Sequence, residues 1–251
     1  MRRLERVPFA HINLEDTTFL ITFMPDLEPL LASIKVAGLL EPLLLREGGK
    51  GGYQIICGFR RAKALRHLSI PEVEAFIYPE DTLDDLSALL LALGHNLLRP
   101  LNLIEKAQAL EKLLSFGVDE KEAVDRYLPL LGLQPNIRVL RRVRGLLGLE
   151  RRLQEYLVRE GLSLSASALF LELDKDGQRA VVPILEALRP GENRTKEIIT
   201  FIREICLRDE VSIPSLLARE EINEILTDPV SYTHLRAHET RHDLVCRLLL
   251  E

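Results

Sequence analysis

The chain has 251 residues, a net charge of −5 from 33 basic and 38 acidic side chains, and 47% hydrophobic residues. That composition supports a sizeable core over two domains and excludes a uniformly basic nucleic-acid coat, although a local basic patch can sit inside an acidic total. No apolar run approaches the roughly 18 residues of a membrane span, and Cys57, Cys206 and Cys246 form no CxxC pair. Membrane insertion, a disulfide framework and a zinc ribbon are therefore not expected, and a reduced, cytoplasmic setting is.

In chain order, the β-branched and aromatic run Thr17–Phe23 predicts a strand. Asp26 predicts the cap of a helix running to Ala37, with Leu27, Leu30, Leu31 and Ile34 on one face and Gly38 as its stop. Pro42–Arg46 and Tyr53–Ile56 read as two strands joined by a glycine-rich loop. That loop has no GK[ST] ending and no helix after it, so it reads as a hairpin rather than a phosphate cradle. Gly58 turns the chain into a helix through Leu68, and Val73–Ile77 is a further short strand. From Asp84 the pattern is almost all helical: Leu83–Leu97, Leu103–Ser115, Asp119–Leu131, Asn136–Leu147, Glu150–Arg159, Ser165–Leu173, Gly177–Leu188 and Arg194–Arg208, with prolines at the joints.

Three constellations carry chemistry. In Ile55-Ile56-Cys57-Gly58-Phe59-Arg60-Arg61 an apolar strand meets a glycine and a helix opens with two arginines. Free N–H groups and guanidinium forks suit an anion there, and two solvated surface arginines are the plainer alternative. His95-Asn96-Leu97-Leu98-Arg99 ends one helix before Pro100. Asn96 and Arg99 could complete a phosphate site, or Asn96 could simply cap the helix. The third constellation spans Asp119 to Arg152, where two amphipathic helices flank Gly132-Leu133-Gln134-Pro135-Asn136. Ile137, Leu140, Val143 and Leu147 mark the buried face of the second helix, and Arg138, Arg141, Arg142 and Arg144 project from its other sides. Between Gln134 and Arg152 six arginines face one acid, a local charge of +5 in an acidic protein. This is the pattern of a helix-turn-helix whose second helix enters the DNA major groove, with Gln134 and Asn136 at its head.

These elements, in this order, resemble the ParB family of DNA-partition proteins, whose pattern is G-x-x-Q-P, then G-E-R-R, then E-N-x-Q-R, then a helix-turn-helix. The corresponding residues are Gly38-Leu39-Leu40-Glu41-Pro42, Gly58-Phe59-Arg60-Arg61 and His95-Asn96-Leu97-Leu98-Arg99. Leu101-Asn102-Leu103-Ile104-Glu105 and Arg159-Glu160-Gly161-Leu162-Ser163 resemble further family segments, so the likeness covers roughly residues 5 to 190. It implies an α/β N-terminal ParB/sulfiredoxin-like domain over residues 1–98 and an all-α helix-turn-helix domain over 99–190. A truncated helical region would follow over 191–228.

The resemblance also implies a DNA-binding protein for segregation or transcriptional control, located in the cytoplasm at the nucleoid. The expected partners are double-stranded DNA, a second copy in a homodimer and a ParA-type ATPase. CTP, with Mg2+, would be held by Gly58, Arg60, Arg61, Asn96 and Arg99. The departures bear on catalysis: Phe59 and His95 stand where the family has glutamates, Leu98 and Glu41 where it has glutamines. Losing carboxylates beside a triphosphate removes magnesium ligands and a base, which argues against turnover. The alternatives are a CTP-hydrolysing DNA clamp, a ParB-like nuclease and a nucleotide-independent transcription factor. Sulfiredoxin shares the small fold, but Phe59 occupies its catalytic cysteine's place and Cys57 follows two isoleucines, so that reading is rejected.

The last segment, Pro229–Glu251, contains His238-Glu239-Thr240-Arg241-His242, which fits the HExxH zinc-protease pattern. The whole segment resembles a translated transposon-type sequencing adapter, with a variable index near Arg241–Asp243. It is therefore set aside, no zinc is expected, and the native frame is expected to diverge near Asp228.

Overall fold

The computed structural model describes residues 2–48, 51–96 and 99–219. It contains an α/β N-terminal region followed by a run of helices, in two compact units, Met1–Leu140 and Arg141–Glu251. The segment 229–251, with its HExxH motif, lies outside the described residues, as do Leu97 and Leu98.

The first unit is built on five strands: β1 (Arg3–Pro8), β2 (Ile12–Asn13), β3 (Leu43–Glu47), β4 (Tyr53–Cys57) and β5 (Glu72–Tyr78). Their spatial order is β1-β5-β3-β4-β2. The β1·β5 and β3·β4 pairs are antiparallel, and the β3·β5 and β2·β4 pairs are parallel. β3 and β4 form the expected hairpin, closed by the Gly48 N–H donating to the Gly52 carbonyl at 2.9 Å. The central strands are apolar on both faces, and Leu43, Leu45, Ile56 and Ile77 are fully buried. Helix α1 (Glu28–Ala37) stops at Gly38, α2 (Phe59–His67) follows β4, and α3 (Asp85–Asn96) and α4 (Leu103–Ser115) come next. Asn102 and Glu105 form a reciprocal capping box at the start of α4.

Thr17–Phe23 is not a strand, which corrects the sequence expectation. Its alternation is real, because Phe19, Ile21 and Phe23 are buried, each stabilising by about 1.5–3 kcal/mol. Its backbone, however, is met by side chains of α4 instead of a ladder. Lys112 donates to the carbonyls of Thr17 and Thr18 at 2.8 Å, and the Phe23 N–H donates to Glu105 at 3.1 Å. The segment is thus a strap across the first unit. The strands β1 and β2, absent from the sequence expectation, are short and mostly charged or exposed, and Val7 and Ile12 alone are buried in them.

The strap is held by α4 within the first unit, which runs to Leu140. The predicted helix at Asp119–Leu131 consists of α5 (Glu120–Glu122), a π-helical turn (Ala123–Tyr127) and α6 (Leu128–Leu130). α7 (Ile137–Gly145) follows, then a 3-10 turn, Leu146–Gly148.

In the second unit are α8 (Arg151–Arg159), α9 (Leu164–Ser167), α10 (Lys175–Leu188), α11 (Glu192–Asp209) and α12 (Ile213–Leu217). Two buried glutamines satisfy the ends of its short turns. The Gln154 amide donates to the carbonyls of Leu146, Leu147 and Leu149 at 3.0, 3.0 and 3.2 Å. The Gln178 amide donates to Leu173 and accepts from the Glu150 N–H, each at 2.9 Å. Among the described residues no helix is long and apolar enough to cross a membrane.

Candidate functional site

Gly58 sits between β4 and α2 at φ 105°, ψ 20°, a left-handed conformation that glycine adopts without strain. A Cβ there would lie 2.7 Å from Leu43 Cδ2 and 3.3 Å from an Arg61 terminal nitrogen, so the position is closed to side chains on two grounds. Arg61 donates from one nitrogen to the carbonyls of Glu41 and Pro42 at 2.7 and 2.9 Å, and that nitrogen lies 3.3 Å from the Glu41 carboxylate. Arg60 donates to the Asp26 carbonyl at 2.7 Å, while its Nε is buried with no hydrogen-bond partner among the described residues. The first turn of α2 therefore presents two guanidinium groups beside free helix N–H groups, clamping the loops before and after α1. Phe59 is buried in the core, so this position offers packing where the family pattern has a carboxylate. Cys57 is 5% exposed, and burial pushes its thiol above the ordinary range despite the opposing pull of Arg61.

The Asn96 amide donates to the Ala92 carbonyl of its own helix at 2.8 Å, and His95 is exposed. Arg99 is committed elsewhere: its fork grips Glu105 through two hydrogen bonds of 2.8 and 2.7 Å, and Glu105 is only 1% exposed. The hydrogen bonds to Glu105 raise the Arg99 pKa further. The same carboxylate accepts the N–H groups of Phe23 and Asn102, both at 3.1 Å. The strap thus reaches from Glu105 at Phe23 to Arg60 at Asp26. Sequence reasoning read Asp26 as a cap and Glu105 only as part of a motif. The Asn102-x-x-Glu105 spacing was the signal that could have marked Glu105 as a capping-box residue.

In the turn before α7, Gln134, Pro135 and Asn136 are exposed. The Asn136 side chain accepts the Arg138 N–H at 2.7 Å, so it caps the helix that it heads. Leu140, Val143 and Leu146 are buried, and Ile137 and Leu147 are half-buried. Arg138, Arg141 and Arg142 are exposed and no acid among the described residues pairs with them; Arg144 is half-buried. The remaining arginines of the basic segment are neutralised, Arg151 by Glu155 at 2.7 Å and Arg152 by Glu186. The unbalanced charge is thus concentrated on one face of α7. Among the described residues no group of three or more His, Cys, Asp or Glu side chains could hold a metal ion.

Residues 4–97 match the ParB N-terminal domain family. The chain is 40% identical over 88 residues to a probable chromosome-partitioning protein ParB of Vibrio cholerae, covering 35% of this chain and 29% of that protein. It is 34% identical over 187 residues to a probable chromosome-partitioning protein ParB of Neisseria meningitidis, covering 67% of this chain and 63% of that one. The chain thus matches less than two thirds of the length of either relative. Two crystal structures of the C-terminally truncated chromosome-partitioning protein ParB from Caulobacter crescentus are also similar. The complex with the centromeric parS site has a TM-score of 0.41 at 21% identity, over 78% of this chain and 98% of that one. The complex with CTP-gamma-S has a TM-score of 0.34 at 24% identity, over 73% and 98%.

Proposed function

The chain belongs to the ParB family, and from that premise we propose that it is a DNA-binding protein of the partition class, reading duplex DNA with α7. The observation that carries this reading is the exposed trio Arg138, Arg141 and Arg142, unpaired among the described residues, on a helix whose opposite face is buried. Cations without countercharges along one helix face match a phosphate-lined groove, whereas a merely solvated helix mixes signs. In this reading Gln134, at the exposed entrance of the helix, contacts a base edge, and Asn136, which also caps the helix, and the half-buried Arg144 face the duplex. The helix-turn-helix domain of this reading spans 99–190, and it acts as a homodimer on a two-fold site, at the nucleoid in the cytoplasm. A ParA-type ATPase is its expected partner in segregation.

A nucleotide reading is favoured by the Gly58 cradle. Phosphate oxygens from CTP would take the place of the Asp26, Glu41 and Pro42 carbonyls as acceptors for Arg60 and Arg61, and the buried Arg60 Nε would gain a partner. Asn96 lies on the neighbouring motif, and Arg99 acts through Glu105 and the strap. The donor set does not fit catalytic magnesium, because Phe59 and His95 occupy the carboxylate positions, so no hydrolytic step is derived.

Titrating CTP into the full chain by calorimetry, with and without duplex DNA, tests the nucleotide arm; selective binding lost in Arg60→Ala is expected. Duplex binding measured across a salt series tests the DNA arm. Binding unchanged in Arg141→Ala/Arg142→Ala would overturn the α7 assignment, and absence of CTP binding in both conditions would leave a nucleotide-independent regulator.

A further inference from the structure

A second basic site lies in the first unit, beside the turn that leads into α7. A half-open cleft of about 340 Å³ is walled by Arg99, Leu101, Lys106, Leu130, Leu131 and Gly132. Leu101 and Leu131 are buried, and Leu130 is half exposed. Into this cleft, whose leucines stand beside polar groups, projects the Lys106 ammonium, half-buried and with no hydrogen bond or ion pair among the described residues. The neighbouring carboxylate cannot neutralise it, because Glu105 is already engaged by Arg99, Phe23 and Asn102. Burial accordingly pulls the Lys106 pKa down. Lysine in the first turn of α4 also opposes the helix dipole, so neither helix stability nor packing explains a charge here.

Gly132 marks where the cleft meets the turn. Its φ is 69°, and a Cβ there would stand 3.8 Å from the Lys106 Nζ. Two residues later comes Gln134, exposed at the entrance of the helix assigned to DNA.

We propose that Lys106 and the Gly132 turn form a seat for a phosphate group, and that the group is a backbone phosphodiester of the duplex read by α7. This rests on the DNA reading above. Arg99 carries its own countercharge, so Lys106 supplies the net positive charge of the seat. A phosphate oxygen would neutralise the ammonium and displace water from the leucine-lined cleft. The contact is blind to sequence and fixes the register of the helix on the duplex.

The test uses the full chain and a fluorescein-labelled, mixed-sequence duplex of about 30 base pairs across a salt series. Lys106→Gln is expected to weaken binding about three- to tenfold on all sequences alike and to lower the salt slope by about 0.9, one released counterion. Lys106→Arg is expected to restore the slope, and Lys35→Gln, an exposed lysine on α1, to leave it unchanged. A wild-type slope in Lys106→Gln overturns the proposal. The second arm follows the 15N signal of the Lys106 side chain as inorganic phosphate or the duplex is added. A response to inorganic phosphate alone reassigns the seat to free phosphate and overturns the backbone assignment; silence to both overturns the seat. Failure of the wild-type chain to bind any duplex instead sinks the DNA reading, and the phosphate arm then decides the seat by itself.

Discussion

Replacing Arg99 with alanine would strand a carboxylate that has almost no contact with water. Glu105 is 1% exposed and holds four hydrogen bonds, two from the Arg99 fork and two from the N–H groups of Phe23 and Asn102. Breaking a buried pair from one side costs about 3–5 kcal/mol, because the remaining charge stays desolvated. Here the Arg99 side chain is 31% exposed and two backbone donors remain, so about 2–4 kcal/mol is expected. With an m-value of about 2 kcal/mol per molar urea, the midpoint should fall by roughly 1–2 M, read by far-ultraviolet circular dichroism. Arg99→Lys should recover only part of this, since an ammonium cannot make the two-pronged contact. A double-mutant cycle with Glu105→Ala isolates the pair, and its coupling energy should exceed about 1 kcal/mol. The reasoning fails if Arg99→Ala leaves the midpoint unchanged while abolishing CTP binding. That result would make Arg99 a direct phosphate ligand rather than the clamp on Glu105.

Gly58→Ala combines a left-handed backbone with a Cβ 2.7 Å from Leu43, and a loss of about 2–4 kcal/mol in urea unfolding is expected; a neutral effect would show that the β4–α2 junction relaxes freely. Gln154→Ala removes the donor to three carbonyls around the turn after α7 and should cost about 1–3 kcal/mol, whereas a loss under 0.5 kcal/mol would mean water replaces it. Lys196, then the Ser163 hydroxyl and N–H, hold the Glu192 carboxyl at about 2, below its ordinary 4.5. A depressed carboxyl stabilises the fold above pH 4.5 and loses that contribution as pH falls toward 2. Thermal unfolding midpoints of Glu192→Gln should therefore vary less across this acid range than those of the wild type, and parallel curves would contradict the assignment. Arg141→Ala/Arg142→Ala should lower the salt slope of duplex binding by up to about 1.8, with an unchanged melting temperature.

The helices were legible in the chain because their signals are local. Apolar residues three and four apart and Gly38 after Ala37 mark faces and an end within a few residues, whereas α10, expected from Gly177, starts at Lys175 because Asp174 caps it. The β3–β4 hairpin was legible for the same reason, and so were the glycine and two arginines at the head of α2. What local pattern could not decide was whether an alternating run finds a ladder partner. Thr17–Phe23 alternates as a strand should, yet Lys112 and Glu105, some eighty to ninety-five residues onward, take its backbone groups. Conversely, the charged Arg3–Pro8 becomes an edge strand because β5 offers it a partner.

Motif chemistry divides along the same line. Residue types placed Arg60, Arg61 and Arg99 alike beside an expected phosphate. Tertiary structure separates them, leaving on Arg60 a buried nitrogen without a partner among the described residues and closing Arg99 onto a carboxylate. The seat at Lys106 also depends on the fold, since a charge becomes unbalanced only once its neighbours have chosen other partners. Helix caps and faces are thus determined by the chain itself, through bonds a few residues long. Which charges stay free is decided by contacts between distant segments.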